Sequence, residues 1–409
     1  MSAPQSSSQD PSPEAGSATE VLVAFLRLGL TSFGGPIAHL AYFRRELVER
    51  RRWLGDDQYA QLLALCQLLP GPASSQLGFG LGLLRAGWAG AMAAFVAFTL
   101  PSAMLMFTFA MLLPHLSGMV GGAAVHGLKV VALAVVAHGV LGMTRSLCPD
   151  AARASIAALA AALVLVWGYA WMQLVVVALG AVAGLALGNR VQPGTGAELS
   201  VHYSRRMGVL ALTLFAVLLV AALLVGGGGE GFSTMAAAFY RAGALVFGGG
   251  HVVLPLLEES VVASGWVSQD DFLAGYGAAQ AVPGPMFTLS AFLGARSGAA
   301  GGGLLGALIA LIAIFLPGFL LLAGVLPQWR SVARRPKAVA AIAGINAAVV
   351  GLLGAALYDP VWTNAVRGPL DVAVALIGFT LLAAWRAPAL LVVAWCVGAT
   401  VAMAGLGLA

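Results

Sequence analysis

The 409-residue sequence is 60% hydrophobic, and only 9% of its residues are charged. A soluble protein carries about 25% charged residues, so this composition excludes a soluble enzyme or binding protein. The formal net charge of +5 comes mostly from arginines between apolar segments. Such arginines orient a membrane protein, so the charge does not indicate nucleic-acid binding.

The first twenty residues (1–20) form a polar N-terminal lead that we predict to be disordered. They are rich in Ser and Pro, lack Lys and Arg, and contain no apolar segment of the kind found in signal peptides. Apolar runs of roughly 20 residues, long enough to cross a bilayer, follow along the chain. Clear examples are Trp88–Leu113, Met119–Met143, Met207–Val225, Leu304–Leu326 and Leu390–Leu408. We therefore predict an all-α polytopic (multi-pass) membrane protein with about ten to thirteen membrane segments.

The early part of this pattern recurs in the second half of the chain. The matched pairs are Phe25–Leu40 with Phe239–Leu254, Trp53–Pro72 with Trp266–Pro285, Phe98–Leu105 with Ile314–Leu321 and, more weakly, His126–Val136 with Ala343–Leu353. Agreement at so many spaced positions indicates a duplication. We predict a first repeat over residues 21–188, a linker with an extra transmembrane helix over 189–231, and a second repeat over 232–409.

The charges after the first motif have opposite signs in the two repeats. The first repeat carries Arg44, Arg45, Arg50, Arg51 and Arg52, and the second carries Glu258, Glu259, Asp270 and Asp271. Short basic loops stay in the cytoplasm, so the equivalent loops should lie on opposite sides of the membrane. This arrangement is an inverted-topology repeat, which is common in secondary transporters.

A second basic loop, containing Arg330, Arg334, Arg335 and Lys337, should also be cytoplasmic. Only one net crossing can separate it from the acidic loop, although two apolar segments lie between them. One of these segments should therefore enter and leave by the same face. We predict a helix hairpin or a re-entrant element at each Pro-Gly-Pro motif.

Four glycine or proline motifs should interrupt helices at membrane depth. They are Gly34, Gly35 and Pro36; Pro70, Gly71 and Pro72; Gly248, Gly249 and Gly250; and Pro283, Gly284 and Pro285. Broken helices persist at this depth only where protein or a water-filled cavity satisfies the freed backbone. The new helix N-termini would direct amide groups at an anion. Alternatively, the glycines only permit close helix packing, but their symmetric repetition favours a binding site.

Three cationic residues, Arg27, Arg241 and Lys129, lie within apolar stretches, whereas the carboxylates lie at segment ends, in loops or in the lead. A site with buried cations and no buried carboxylate should attract an anion. Arg27 and Arg241 occupy equivalent positions, and a guanidinium can bind an oxyanion through two parallel N–H bonds. In the alternative, they reach the headgroups or bind a carbonyl.

Other polar residues near the motifs could assist. Gln67 and Gln280 precede the two Pro-Gly-Pro motifs, and Ser74, Ser75, Thr288 and Ser290 follow them. Each could donate to the same ligand or merely bond a freed carbonyl. His39 and His251 are the candidates for proton coupling, while a satisfied buried histidine is the alternative.

The sequence contains no motif of a soluble-type enzyme, no P-loop and no metal-ligand cluster. Cys66, Cys148 and Cys396 are isolated. We therefore predict a transporter without catalytic residues, cofactor or metal, driven by an ion gradient because it has no ATP-binding motif.

Together these motifs resemble the chromate ion transporter family in its two-domain form. The resemblance rests on the four interrupted motifs, on Gly87, Trp88 and Gly90, and on Pro101 and Pro317. It implies a bacterial inner-membrane antiporter that exports chromate, using the proton motive force or anion exchange, and so confers chromate resistance. It also implies that Arg27 and the motif residues of the first repeat are functional. Gly250 stands where the first repeat has Pro36, so the two half-sites need not be equivalent.

Three alternatives remain open at this point. The physiological substrate could be sulfate, which is isosteric with chromate, imported or exchanged. The protein could instead be a passive anion channel, or a membrane-embedded enzyme. Besides the lipid bilayer, the expected partners are chromate and sulfate. Small-residue helix faces would permit a homodimer.

Overall fold

The computed structural model describes residues 16–33, 35–116, 118–167, 172–187, 199, 203–225, 229, 231–247, 253–298, 301–329 and 336–407. Throughout these ranges the ordered elements are helices and no strand occurs. Five helices are long and apolar enough to cross a bilayer, and four shorter apolar helices of 10–17 residues accompany them. The prediction of an all-α polytopic membrane protein is confirmed.

The described residues of the first half of the chain form eight α-helices. They are α1 (Ala18–Thr31), α2 (Gly35–Phe43), α3 (Asp56–Leu68), α4 (Ala73–Leu112), α5 (Gly118–Leu147), α6 (Ala151–Trp167), α7 (Met172–Leu187) and α8 (Arg205–Leu224). A π-helix, Arg44–Arg50, extends α2, and a 3-10 turn, Leu113–His115, ends α4. The helix α8 lies between the two repeats. Only 17% of the most apolar stretch of α8 is buried within the protein, so most of this helix is available for contact with lipid.

In the described part of the second half there are also eight α-helices of more than one turn. They are α9 (Phe232–Leu245), α10 (Val253–Val261), α11 (Gln269–Ala279), α12 (Leu289–Arg296), α13 (Gly303–Val325), α14 (Pro336–Ala356), α15 (Pro369–Ala383) and α16 (Ala389–Gly405). Short turns connect them: the 3-10 turns Met286–Thr288 and Leu326–Gln328, the π-helix Leu357–Trp362 and the single turn Thr363–Ala365. The helices α4 and α13 pack against each other through aromatic side chains. Phe79 stacks on Phe319 at a centroid distance of 4.4 Å.

The long helix α4 is two helices joined at a kink. Ala86 (φ −143°, ψ 29°) and Gly87 (φ 61°, ψ −154°) both leave the helical region, and the positive φ of Gly87 favours glycine. The first part, 73–85, is about 20 Å long at the helical rise, which is too short to cross a hydrocarbon core of about 30 Å. The second part corresponds to α13, and the first part to α12.

Each Pro-Gly-Pro motif joins two half-length helices whose outer ends lie together. In the first repeat, the Arg85 guanidinium at the end of the first half of α4 lies 5.5 Å from the ring centroid of Trp53, three residues before α3. In the second repeat, Arg296 at the end of α12 donates to Asp271 in the first turn of α11 at 2.8 Å. Both pairs are therefore re-entrant hairpins, as the loop charges predicted.

The helices α1 and α2 also return to the face from which they start. The indole N–H of Trp53 donates to Glu20 near the start of α1 at 2.8 Å. The backbone N–H of Trp53 donates to the carbonyl of Leu47, on the extension of α2, also at 2.8 Å. In the second repeat, the equivalent helices α9 and α10 pack against each other on either side of residues 248–252.

Between the hairpins of the two repeats, α4 beyond its kink, α5 and α8 belong to helices long and apolar enough to cross a bilayer, and the shorter α6 and α7 form a pair. The number of crossings is then odd, which would place the two hairpins on opposite faces, as an inverted repeat requires. We call the face with Arg44, Arg45 and 50–52 the basic face, and the face with Glu258, Glu259 and 270–271 the acidic face. The positive-inside rule predicts that the basic face is cytoplasmic. Lys337 is the second residue of α14, whereas Arg330, Arg334 and Arg335 lie outside the described residues.

Candidate functional site

Each Pro-Gly-Pro loop binds the interrupted helix of the other repeat. The N–H of Gly71 donates to the carbonyl of Val246 at 2.7 Å, and the N–H of Gly284 donates to the carbonyl of Ser32 at 3.0 Å. Gly71 and Gly284 are equivalent positions, and so are Val246 and Ser32. The four interruptions therefore meet as two symmetry-related contacts between the repeats.

The glycine in each loop is required for two reasons. Its φ is positive, +124° at Gly71 and +98° at Gly284, a region that side chains with a Cβ rarely adopt. A Cβ at Gly71 would also lie 2.9 Å from the Cα of Gly318, and one at Gly284 would lie 2.8 Å from the Ser102 hydroxyl. Gly318 and Ser102 are themselves equivalent, because each follows the proline inside α13 or α4.

The N-terminus of α4 lies directly behind the first Pro-Gly-Pro loop and is buried. Pro72 supplies no side-chain cap, so the first-turn amides lack the usual capping oxygen. Ser75 is buried, and its hydroxyl has no hydrogen-bond partner in the described part of the chain. The amide of Gln76 donates to the carbonyls of Pro70 at 2.9 Å and Gly318 at 3.0 Å, while its Oε1 remains unpaired there.

At the equivalent position in the second repeat, the start of α12, the hydroxyl groups already donate hydrogen bonds to the backbone. Thr288 donates to the carbonyl of Pro285, and Ser290 donates to that of Phe287, both at 2.8 Å. Thr288 is the equivalent of Ser75, so the two half-sites differ in available donors. The sequence difference between Pro36 and Gly250 suggested that the two half-sites are not equivalent. The residues that follow the two Pro-Gly-Pro loops differ as well.

A second group of unpaired polar atoms surrounds the other contact. Ser32, His39 and Thr99 are buried, and Ser32 Oγ, His39 Nδ1 and Thr99 Oγ1 find no partner among the residues described. His39 Nε2 donates to the carbonyl of Ser32 at 3.1 Å, the same carbonyl that binds Gly284. Buried polar atoms without partners cost roughly 1–3 kcal/mol each, so such a cluster indicates water or a polar ligand.

The three cations do not form the expected buried cationic site. Arg27 is exposed on the face of α1 that also exposes Val23 and Leu30, so the prediction of a buried guanidinium is wrong here. This exposed face also carries Thr19 and Thr31, so α1 is amphipathic and Arg27 lies on its more polar side. Arg241 is half-buried and donates to the carbonyls of Ala222 at 2.6 Å and Val225 at 2.9 Å. These contacts match the alternative in which the guanidinium binds carbonyls.

Lys129 is the one cation of the three that is buried, and its ammonium is bound by Asp270 at the start of α11. The two candidate glutamines also differ from each other. Gln67 is exposed on α3, whereas Gln280 is buried and its amide contacts the sulfur of Met286 at 3.1 Å. For all of these residues, substrate binding remains a prediction.

Several predicted residues of the helix interruptions cannot be placed. Gly34, Gly248, Gly249, Gly250 and His251 lie outside the described residues. Gly35 and Pro36 begin α2, as a break at this point requires. Of the two histidine candidates, only His39 therefore has described contacts.

The expectation that no carboxylate is buried is also wrong. Asp371, in the first turn of α15, is buried and accepts a hydrogen bond from His126 Nε2 at 2.8 Å. Its second oxygen accepts from the backbone N–H of Arg367 at 2.9 Å. This pair joins the two repeats. Because His126 and Asp371 are 245 positions apart, no local sequence signal could have identified them.

An acidic cavity opens near the acidic face. It has a volume of about 330 Å³, and Glu258, Glu259, Asp359 and Gln173 contribute to its lining. The two glutamates lie at the outer end of α10, outside the spanning helices. Burial and the neighbouring Asp359 raise the pKa of Glu258 to about 7, and burial and Glu258 raise that of Glu259 to about 7.

Comparison with known proteins identifies the family. The chain is 27% identical over 384 residues to a chromate transport protein of Pseudomonas aeruginosa, covering 90% of this chain and 87% of the relative. It is 29% identical over 350 residues to a probable chromate transport protein of Synechococcus elongatus, covering 81% and 82%. A chromate transport protein of Cupriavidus metallidurans is 27% identical over 373 residues, covering 89% and 86%.

No solved structure matches the chain. The family model described as chromate transporter matches both halves, over residues 19–185 and 233–403. The two matches include both Pro-Gly-Pro loops and both interrupted helices. The protein belongs to the chromate transporter family.

Proposed function

We propose that this protein is a secondary active transporter of the bacterial inner membrane that exports chromate and so confers chromate resistance. The observation that carries the proposal is the pair of symmetry-related contacts at Gly71 and Gly284, each beside buried polar atoms without partners. Helix interruptions at a repeat interface are where secondary transporters bind their substrates. The names of the relatives supply chromate as the substrate.

Recognition of the oxyanion would rely on N–H and O–H donors more than on a guanidinium pair. The uncapped N-terminus of α4 and the hydroxyl of Ser75 provide such donors, and the helix dipole favours negative charge there. The interruptions at 34–36 and 248–250, together with Gln280, would complete the site. A dianion held by neutral donors can be released again, as a transport cycle requires.

The distribution of charge favours export. On the basic face Arg44, Arg50 and Arg51 are paired with nearby carboxylates. The exposed Arg45 and Arg52 are the arginines that would attract anions on the cytoplasmic side. The acidic cavity at Glu258 and Glu259 lies on the opposite side and repels anions that would re-enter. An anion moving outward also follows the membrane potential, which is negative inside.

The energy source would be a gradient of protons or of an exchanged anion. His39 is the candidate for proton coupling, because its Nδ1 is buried without a partner in the described ranges and its Nε2 binds the carbonyl that receives Gly284. Proton coupling predicts that a pH gradient alone drives chromate movement. Anion exchange predicts that counter-anion on the far side is needed instead.

Inside-out membrane vesicles test the proposal. Vesicles containing the protein should accumulate labelled chromate when potential and pH gradient are imposed separately with ionophores, and control vesicles should not. Saturable uptake that stops when both gradients are collapsed supports active export. Uptake that only equilibrates chromate, whatever the gradients, would favour a passive channel instead.

Sulfate is a second candidate substrate. Both ions are tetrahedral dianions, and the amide and hydroxyl donors beside Gly71 provide nothing that separates one from the other. We expect sulfate to compete with chromate in the same vesicles. Sulfate that is transported faster than chromate at equal concentration would make sulfate exchange the primary function.

A further inference from the structure

The two repeats differ in one large contact, and this difference indicates a path for the substrate. We propose that the cleft between α3 and α14 is the entry path from the basic face, and that the contact between α5 and α11, held by Lys129 and Asp270, seals the path to the acidic face. Transport would exchange the two contacts. The inference rests on the proposed function, although its test does not require chromate to be transported.

The two contacts involve equivalent elements. The duplication pairs α5 with α14 and α11 with α3. At single positions it pairs Lys129 with Asn346 and Asp270 with Asp57. In an inverted repeat, a contact present in one half has a symmetric counterpart that can form in the other half.

The contact on the acidic side is closed. The ammonium of Lys129 is buried on α5 and is bound by Asp270, whose side chain is exposed toward the acidic face. Gly277 of α11 lies so close to α5 that a Cβ there would stand 3.1 Å from the Cα of Leu128. Leu273, Gly277 and Gln280, on this face of α11, are all buried.

The counterpart on the basic side is open. The equivalent residues of α3 are Ala60, Ala64 and Gln67, and all three are exposed. Among the described residues, α3 and α14 make no contact comparable to that of α11 and α5. Where they would meet lies a cavity of about 160 Å³, lined in part by Leu68, Arg153 and Asn346.

The cavity has the features of an anion path. It reaches Leu68, two residues before the first Pro-Gly-Pro loop, and its wall includes Arg153, which is paired with Asp150 at 3.4 Å. The Oδ1 atom of Asn346 is buried and has no partner among the residues that the structure describes. In the closed form of this cleft, Asn346 would lie against α3 as Lys129 lies against α11.

The two seals differ in chemistry, and this difference couples movement to substrate. The outer seal joins an ammonium to a carboxylate, whereas the inner one would place the neutral amide of Asn346 near Asp57. The charged seal favours the form open to the basic face. When α5 leaves α11, Lys129 loses its carboxylate and becomes an unpaired cation beside the opened path, where a bound oxyanion would compensate its charge.

Labelling of single added cysteines by a membrane-impermeant thiol reagent tests the path. The native Cys66, Cys148 and Cys396 are all buried, so an added cysteine provides the signal. We expect Ala60→Cys to react in inside-out vesicles about tenfold faster than its equivalent Leu273→Cys reacts in right-side-out vesicles, since only one path is open. Equal labelling after denaturation in detergent shows that both cysteines are present.

A second variant tests the seal itself. Lys129→Asn, which copies the residue of the other repeat, should raise labelling of Leu273→Cys from the acidic face by about tenfold, and the control Lys337→Asn should leave it unchanged. The inference would be overturned if Lys129→Asn did not raise the labelling of Leu273→Cys. It would also be overturned if Ala60→Cys were not labelled from the basic face. If labelling follows the predicted pattern but chromate is not transported, the proposed function fails while the path stands.

Discussion

At the scale of single residues, Ser75 and its equivalent Thr288 show how one fold contains two different half-sites. The Ser75 hydroxyl is buried without a partner in the described structure, whereas Thr288 donates to the carbonyl of Pro285 at 2.8 Å. A hydroxyl that already donates its hydrogen to a backbone carbonyl cannot donate the same hydrogen to a ligand. The substrate should therefore depend more on the N-terminus of α4 than on that of α12.

This difference leads to a prediction for Ser75→Ala. Because a hydrogen bond to a charged group contributes about 1.5 kcal/mol or more, the half-saturating chromate concentration should rise about tenfold. The control Thr288→Val should change it by less than about twofold, since its hydroxyl bonds only the chain itself. Uptake into inside-out vesicles measures both. Equal effects of the two variants would remove Ser75 from the site.

Glu258 and Glu259 give a second prediction, for the dependence of stability on pH. Burial and a neighbouring carboxyl raise the pKa of both residues to about 7. A carboxyl with a raised pKa binds its proton more tightly in the folded state, so it adds stability that is lost as pH rises toward 7. The protein should therefore melt at a higher temperature at pH 5.5 than at pH 8.

The matched measurement is the same pair of melting curves on the double variant Glu258→Gln, Glu259→Gln. Its difference in melting temperature between the two pH values should be smaller than that of the unaltered protein, because the glutamines do not titrate. An unchanged difference would show that other groups control the pH dependence.

At the scale of elements, the Pro-Gly-Pro loops set the geometry of the repeat interface. Gly71 combines a φ of +124° with a close approach to the Cα of Gly318. Any side chain there would strain the loop and push α13 away. The N–H bond to the carbonyl of Val246 would then lengthen or break.

We therefore predict that Gly71→Ala and Gly284→Ala each abolish transport and lower the free energy of unfolding by about 1–3 kcal/mol. Gly122→Ala on α5 is the matched control, because a Cβ there meets open space. Thermal unfolding in detergent and vesicle uptake provide the two measurements. Full transport by either loop variant would mean that the contact between the repeats is not part of the cycle.

The elements also show how much the sequence could predict. The interruptions and the re-entrant hairpins follow from Pro, Gly and loop charge, which act locally, and the structure confirms the hairpins. The contacts between repeats do not follow, since Lys129 and Asp270 are 141 positions apart. Arg27 was expected to be buried because it lies in an apolar stretch, but it falls on the exposed side of the amphipathic helix α1 together with Thr19 and Thr31.

At the scale of the whole molecule, duplication and inversion produce a protein with one basic and one acidic face. The two cavities differ in the charge of their lining residues in the same way. One is lined by Arg153 and the other by Glu258. In the proposed path the basic side is open, and the contact of Lys129 with Asp270 seals the other side. If that proposal holds, substrate enters from the basic side, which the positive-inside rule predicts to be cytoplasmic.

The central claim is that chromate crosses this molecule at the contacts between the Pro-Gly-Pro loops and the interrupted helices. Counterflow in proteoliposomes tests it most directly, with excess unlabelled chromate inside, labelled chromate outside, and pH and potential clamped. We predict transient accumulation of label with the unaltered protein and with Gly122→Ala, and none with Gly71→Ala. Accumulation that persists in Gly71→Ala, or no counterflow by the unaltered protein, would contradict the account.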